Sequence, residues 1–198
     1  MLSKNIFSLQ KLSTLPFFTT QTVSDILAVQ ISSARVFCSR YVKAGLLVHL
    51  RNNYFATAQK WKEMDTKELL LAANVLQVPS YISFMTGLEY YGVTTQIQRN
   101  YIESASLKRS VEYNPGDKVF RYYKLKRKYY FEFGRKDGLF IATKEKSFLD
   151  AVYLYSFGKY RIDFSSLDMK KLDGKKLLKL AKIYPPKTKK ILKVLCGS

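Results

Sequence analysis

Apolar residues recur at helical spacing three times within the N-terminal quarter of the chain. The first stretch covers residues 5–15, and Pro16 closes it because proline cannot continue the helical hydrogen-bond ladder. A second short helix follows, for which Thr20 or Thr22 is the expected N-cap. A third is predicted over 31–44, where Gly45 follows as its stop. The pattern therefore predicts three helices in succession.

The third predicted helix has one apolar and one polar face. At about 100° per residue, Phe37, Cys38 and Tyr41 fall on one side, and an opposite arc of about 160° is largely polar. The polar arc has no acidic residue and consists of Ser32, Ser33, Arg35, Val36, Ser39, Arg40 and Lys43. Arginine forms bidentate hydrogen bonds with guanine, and serine can donate to bases or phosphates. We predict that this arc contacts DNA; the alternative interpretation is a solvated cationic face.

A β-hairpin is predicted directly after the third helix. Residues 46–50 and 54–56 have strand character, and the turn between them is Arg51-Asn52-Asn53. Three helices followed by a basic-tipped hairpin predict a winged helix-turn-helix DNA-binding domain over residues 1–62. Arg51 at the tip is expected to meet the DNA backbone or minor groove.

The residue pattern over 63–198 predicts an α+β domain with its strands clustered in the middle. A helix capped by Thr66 is expected to run to Leu76, and a second over 84–91. Strands are predicted within 78–83 and at 101–104, 119–123, 129–133 and 139–142. Helices return at Thr143. The predicted fold class is thus α+β, with an N-terminal winged helix, a central strand region and C-terminal helices.

The C-terminal segment is rich in lysine. Between Lys170 and Lys193 there are ten lysines and one acid, Asp173. Leu177, Leu180, Ala181 and Tyr184 are predicted to line one helix that Pro185 ends, and Ile191, Leu192, Val194 and Leu195 to anchor another. Lysines around such helices can contact the phosphates of a nucleic acid without recognising its base sequence. We predict a surface for nonspecific DNA contact formed by Lys175, Lys176, Lys179, Lys182, Lys187, Lys189 and Lys190; the alternative is a solvated lysine face.

Charge divides the 198-residue chain into three parts. The formal net charge is +19, with +7 in residues 1–62, −3 in residues 63–117 and +15 in residues 118–198. Two basic regions separated by a mildly acidic one favour contact with a polyanion at two surfaces. A general preference for lysine as a solubilising residue is the alternative explanation.

Composition limits the remaining chemistry. With two cysteines and one histidine, the chain cannot build a Cys/His zinc site, and neither a metal nor another cofactor is expected. We also predict no catalytic residues, because a triad would depend on His49 alone. No apolar run has the length of a membrane-spanning helix, and the N-terminus lacks a signal-peptide core. A cytoplasmic, non-enzymatic protein without a membrane partner is expected.

Two segments resemble a known family. Residues 79–96, PSYISFMTGLEYYGVTTQ, and residues 141–150, IATKEKSFLD, are similar to segments of the antitoxins of AbiE-type (type IV) abortive-infection toxin–antitoxin systems. Lys144 and Tyr91 replace the family's usual Pro and His, and the turn has Asn52-Asn53 where Gly is common. Within these segments the motif residues, interpreted as structural, are Tyr81, Ser83, Thr143, Glu145, Lys146 and Asp150.

The resemblance implies a function. Members of this family join an N-terminal winged helix to a C-terminal antitoxin domain. They repress their own operon from double-stranded operator DNA, act in phage defence, and counteract a nucleotidyltransferase-like toxin without a stable complex. The expected partners are therefore operator DNA and a cognate toxin of that kind, the latter in a functional sense.

Three other hypotheses stay open at this stage. The first is that the protein is a stand-alone winged-helix transcriptional regulator. It can also be a nuclease that uses Glu145 and Asp150 with a metal, although five residues of separation put them about 140° apart on a helix. Finally, it can be an RNA-binding module whose exposed tyrosines stack on bases, namely Tyr122, Tyr123, Tyr129 and Tyr130; packing within strands is the alternative role for those rings.

Overall fold

The computed structural model describes residues 9–195 and has a mixed α+β fold. The described residues form two compact units: unit one contains 9–72 and 113–118, and unit two contains 73–112 and 119–195. The boundary predicted from sequence lies between residues 62 and 63. In the structure unit one extends to residue 72 and also includes the later segment 113–118. Among residues 9–195 we find no helix with the length and apolarity that crossing a bilayer requires.

Unit one is built from short helices and a three-stranded antiparallel sheet. Its elements are α1 (residues 9–13), β1 (Phe18–Thr19), α2 (Thr20–Leu27), α3 (Ile31–Lys43), β2 (Leu47–Arg51), β3 (Tyr54–Thr57), α4 (Ala58–Glu63) and the first part of α5 (Thr66–Leu76). The strand order is β1-β3-β2, so the strand before α2 pairs with the second strand of the hairpin. Leu12, Phe18, Val23, Ala34, Cys38 and Leu47 are buried in its core. The part of the predicted first helix at residues 5–8 lies outside the described residues.

The helices begin at different caps from those expected. Thr19 is the N-cap of α2, and its side chain and that of Thr22 form a reciprocal capping box with the backbone. Neither Thr20 nor Thr22 is therefore the cap. At α5, Asp65 accepts from the amide of Glu68 at 2.8 Å, while the Glu68 carboxylate accepts from the Asp65 amide. In both helices the cap lies one residue before a threonine that also has capping chemistry, which sequence alone cannot rank.

Trp61 belongs to α4 and is buried. Its indole nitrogen donates to the carbonyl of Pro115 at 3.1 Å, and the ammonium of Lys118 lies 5.3 Å from its ring centroid. Gly116 adopts a φ of 63°, and a Cβ there would come within 3.2 Å of the Trp61 indole nitrogen. These contacts explain why residues 113–118 belong to unit one.

Unit two contains a six-stranded mixed sheet with order β6-β7-β5-β4-β9-β8. The strands are β4 (Ser80–Ile82), β5 (Tyr101–Ser106), β6 (Val111–Tyr113, which runs on into unit one), β7 (Val119–Lys124), β8 (Phe133–Lys136) and β9 (Leu139–Ala142). The helices are α6 (Phe84–Tyr90), α7 (Lys144–Ser156), α8 (Gly174–Leu180) and α9 (Pro186–Leu195). β5 pairs with β7 and β4 with β9 in parallel, and the central β4–β5 pair is antiparallel.

The predicted strand at 129–133 is wrong. Residues Arg127–Tyr129 form a 3-10 turn, and β8 starts only at Phe133. The Tyr129 ring is buried against Tyr184, with 4.5 Å between ring centroids. Glu132 has a φ of 57°, which interrupts an extended backbone. A run of aromatic residues therefore forms a core-facing turn instead of a strand.

Two further expectations about unit two need correction. The predicted helix through Tyr184 ends at Leu180, and a 3-10 turn over Ala181–Ile183 carries Tyr184 into the core. Val194, an expected anchor of the last helix, is 76% exposed. The other three expected anchors face the core as predicted: Leu192 is fully buried, and Ile191 and Leu195 are half-buried and pack against that core. Thr188, one turn before Leu192, is also buried.

Candidate nucleic-acid interface

The polar face of α3 is exposed. Ala34 and Cys38 are buried on the inner side, and burial raises the pKa of the Cys38 thiol to about 11, so that thiol is protonated at neutral pH. The residues predicted to contact DNA all lie in the exposed class: Ser32, Ser33, Arg35, Val36, Ser39, Arg40 and Lys43. Within residues 9–195, no carboxylate pairs with the three cations among them. A cationic helix face is thus available to a ligand.

A groove of about 660 Å³ separates α3 from the β2–β3 hairpin. Its helix side includes Arg35, Ser39 and Lys43, and its hairpin side includes His49, Asn52 and Asn53, with no acidic residue in the lining. The imidazole Nε2 of His49 lies 2.7 Å from the carbonyl oxygen of Asn52. The helix wall therefore presents two cations and a hydroxyl and the hairpin wall an imidazole and two amides, while Cys38, Val42 and Phe55 add apolar lining.

The hairpin turn is fixed to the start of α2. Asn52 takes the left-handed conformation that a tight turn needs, with φ of 48°. The Asn53 side-chain oxygen accepts hydrogen bonds from the amide of Thr20, at 3.2 Å, and from the Thr20 hydroxyl. Asparagine thus supplies both the turn conformation and the attachment to the helix.

Arg51, predicted to reach DNA from the hairpin tip, already has a partner. Its guanidinium carbon lies 4.4 Å from the ring centroid of Tyr113, and the side chain is half-buried. A guanidinium over an aromatic face is held by cation–π attraction. The exposed residues of the turn are Asn52 and Asn53.

The C-terminal lysines differ in their availability. The Lys176 ammonium pairs with Glu132 at 2.7 Å and with Glu145 at 3.5 Å, and the hydrogen bond that it donates to Glu132 raises its pKa. The Lys187 ammonium lies 5.7 Å from the Phe157 ring centroid, and Lys189 is half-buried. Lys175, Lys179, Lys182, Lys187 and Lys190 are exposed. The predicted surface thus retains five exposed cations.

Four of the six motif residues meet in the core of unit two. Asp150 Oδ2 accepts hydrogen bonds from the hydroxyls of Tyr81, at 3.0 Å, and Ser83, at 2.8 Å. Its other carboxylate oxygen pairs with the Lys146 ammonium, which also donates to the Tyr184 hydroxyl at 3.2 Å. The two quoted segments therefore converge on one buried ion pair, joining β4 to α7.

Burial dominates the electrostatics of this ion pair. Both side chains are fully buried, and desolvation lowers the pKa of Lys146 and raises the pKa of Asp150, while each partner opposes the shift of the other. The ammonium also lies 5.2 Å from the Phe131 ring centroid and 5.6 Å from that of Tyr81. Since solvent does not reach the pair, its evident role is to fix the fold.

The other two motif residues act separately. Thr143 caps α7 by accepting from the amide of Lys146, as expected. Glu145 is buried and accepts from the amide of Asp173 as well as pairing with Lys176. Glu145 and Asp150 thus have different partners, and within the described part of the chain no three His, Cys, Asp or Glu side chains form a group suited to a metal ion.

The sequence did not single out Glu103, although it is buried in the middle of β5. Its carboxylate accepts from the amide of Met85, at 3.1 Å, and from the hydroxyls of Tyr160, at 2.6 Å, and Tyr123, at 3.3 Å. Burial raises its pKa to about 7 despite these donors. The signal that could have identified it is a lone glutamate within an otherwise apolar and hydroxyl-rich strand.

The tyrosines proposed as stacking platforms are mostly core residues. Tyr122 and Tyr129 are buried, and the Tyr122 hydroxyl donates to the carbonyl of Ala73 at 2.6 Å. Tyr123 and Tyr130 are half-buried. The packing interpretation is therefore correct for Tyr122 and Tyr129, and only Tyr123 and Tyr130 keep partly accessible rings.

Comparison with known proteins yields no matching family model and no curated protein with significant similarity to the chain. The resemblance to AbiE-type antitoxins rests on residues 79–96 and 141–150.

Proposed function

We propose that this protein binds specific double-stranded DNA through α3 and acts as a transcriptional repressor of its own operon. The observation that carries the proposal is the exposed polar face of α3, with Arg35, Arg40 and Lys43 unopposed by acids, beside a polar groove and a hairpin. A helix with such a face suits the major groove, where arginine reads guanine and serine contacts phosphates.

The order of elements supports a winged helix-turn-helix. Two helices joined by a short turn at Ala28 precede the hairpin, and β1 pairs with the second hairpin strand. In this arrangement α3 is the recognition helix and the β2–β3 hairpin is the wing. Because Arg51 lies over Tyr113, we assign the wing's outer contacts to Asn52 and Asn53.

The antitoxin function is proposed on the family resemblance. Four of the motif side chains in unit two form a buried network, which leaves the antitoxin role to the surface of the unit, including the exposed C-terminal lysines. Counteraction of a nucleotidyltransferase-like toxin in the cytoplasm, without a stable complex, is the function we propose for unit two. A toxin gene of that class beside this one, whose growth inhibition this protein relieves, supports the assignment; no relief on co-expression contradicts it.

The DNA assignment is tested by a gel-shift assay with the duplex upstream of the protein's own gene. Arg40→Ala is expected to abolish specific binding and to leave the circular dichroism spectrum unchanged, because the side chain is exposed. Lys62→Ala removes an exposed cation of α4 and serves as the matched control. Equal binding by wild type and Arg40→Ala overturns the assignment of the reading face.

A further inference from the structure

We propose that unit two carries a second nucleic-acid site, a groove that binds single-stranded RNA or DNA. The groove has a volume of about 860 Å³ and is formed by β7, the turn after it, the C-terminal end of α7 and Pro185. This volume is within the range of clefts that bind ligands in proteins. The second basic surface predicted from the sequence lies elsewhere, on the C-terminal helices.

The charge of the groove suits a phosphate backbone. Four cations line it, namely Arg121, Lys124, Lys126 and Lys159, and its lining contains no carboxylate. The three lysines are exposed, and none has an acidic partner among residues 9–195. Only Arg121 has one, with Glu112 at 3.5 Å. Unpaired cations along a concave surface bind polyanions through counterion release.

Aromatic side chains distinguish this groove from a simple lysine surface. Two rings in the lining are accessible, those of the half-buried Tyr123 and of Phe157, which is 45% exposed; Tyr129 and Tyr153 also line the groove but are buried. The Arg121 guanidinium lies 5.3 Å from the Tyr123 ring centroid, so a cation and a ring occur together in the wall. Unpaired bases stack on such rings, whereas the bases of a duplex are enclosed by their neighbours. The combination therefore favours a single strand over a duplex.

The groove also continues beyond its main volume. Tyr123 and Lys159 line a second cavity of about 400 Å³, whose lining also includes Gln96, Gln98 and Arg161 and two carboxylates, Glu103 and Asp163. The two cavities thus meet along one aromatic ring and one lysine. Because carboxylates repel phosphates, we place the phosphates along the cations of the main groove only.

The test uses the full chain and fluorescence anisotropy with labelled 12-nucleotide oligo-U and oligo-dT, and a duplex of equal length as competitor. The triple variant Lys124→Gln/Lys126→Gln/Lys159→Gln is expected to raise the Kd for the single strands at least tenfold. The matched control Lys62→Gln/Lys67→Gln/Lys170→Gln removes the same charge from exposed sites outside the groove and is expected to change Kd less than threefold.

Stacking is tested separately at Phe157. Phe157→Ala is expected to raise Kd about fivefold or more, and Phe157→Tyr to preserve binding, because an aromatic ring stacks with a base for about 1–3 kcal/mol. Arg40→Ala is expected to leave single-strand binding unchanged, which separates this site from the duplex site on α3. Equal losses in both triple variants, a silent Phe157→Ala or a duplex that competes as well as the single strand each overturn the proposal. Binding of an acidic protein in place of either oligonucleotide also overturns it.

Discussion

The hydroxyl of Tyr81 donates a hydrogen bond to Asp150 Oδ2 at 3.0 Å, although 69 positions separate the two residues in the chain. Tyr81 lies on β4 and Asp150 on α7, and both are fully buried. The same carboxylate pairs with Lys146. A strand and a helix are thus joined by a charged contact that is energetically costly unless every partner is present.

Asp150→Asn is expected to lower the free energy of unfolding by about 3–5 kcal/mol, because it leaves the buried Lys146 ammonium without a counter-charge. The substitution keeps the shape of the side chain, so cavity formation does not contribute. Urea denaturation followed by tyrosine fluorescence and circular dichroism measures the loss.

The control for this prediction is the double variant Lys146→Met/Asp150→Leu. Replacing both charges with apolar groups of similar size is expected to recover most of the lost stability. An unchanged urea midpoint for Asp150→Asn would show that the ion pair does not hold β4 against α7.

The local half of this network was predictable from sequence. Lys146 and Asp150 are four residues apart on one helix, and Thr143 precedes that helix with capping chemistry. The contacts of Tyr81 and Ser83 with Asp150 depend on the pairing of β4 within the sheet, which no local spacing encodes. The groove proposed to bind a single strand could not be predicted for the same reason, because its residues from β7, α7 and the turn before α9 meet only after folding.

On α3, by contrast, the whole polar face belongs to one helix, and helical geometry alone identified its exposed residues and the buried Cys38, while Phe37 and Tyr41 are only half-buried. The capping residues were displaced by one position because two adjacent side chains had the same chemistry. The strand expected at 129–133 was wrong because packing of Tyr129 on Tyr184 outweighs the strand preference of the aromatic residues.

Close packing of α6 on α7 depends on Gly87. A Cβ on this residue would lie 3.0 Å from Ser147 Cβ and still closer to the Ser147 hydroxyl, both on the buried side of α7. Gly87→Ala is expected to cost about 1–3 kcal/mol of unfolding free energy through overpacking, measured by urea denaturation.

Two variants check this explanation. Adding Ser147→Gly to Gly87→Ala is expected to restore part of the loss, because the clash is with that side chain. Gly174→Ala, at a helical glycine with open space around it, is expected to change stability by less than about 0.5 kcal/mol. A loss with Gly87→Ala that Ser147→Gly does not relieve argues against a steric cause.

The buried Glu103 is expected to make stability depend on pH. Burial raises its pKa in the folded protein to about 7, from an unfolded value of 4.5, so the folded state binds the proton more tightly. Its contribution to stability is therefore fully present below pH 4.5 and is lost as the pH rises to about 7, amounting to about 3 kcal/mol.

The free energies of unfolding of the wild type and of Glu103→Gln, obtained from urea denaturation across pH 4.5–8, measure this contribution. The difference between them is expected to change by that amount over the range, with the wild type losing stability relative to the variant as pH rises. Parallel profiles would mean that Glu103 stays ionised in the folded protein, held by its hydroxyl and amide donors.

Arg40 and Lys43 are expected to contribute differently to DNA binding. Lys43 lies at the end of α3 and lines the groove beside the hairpin, and an ammonium binds a phosphate as a point charge. Lys43→Gln should weaken binding to all duplexes alike and reduce the slope of log K against log salt by about 0.9. Arg40→Ala should instead abolish the preference for the operator over the scrambled duplex, because a bidentate arginine–guanine pair supplies about 1–3 kcal/mol of discrimination. Anisotropy titrations between 50 and 300 mM salt, on the operator and on a scrambled duplex, separate the two effects. Lys62→Gln is the charge-matched control. The same slope for Lys43→Gln and Lys62→Gln would place Lys43 away from the phosphates, and a uniform loss with Arg40→Ala would make it a backbone contact.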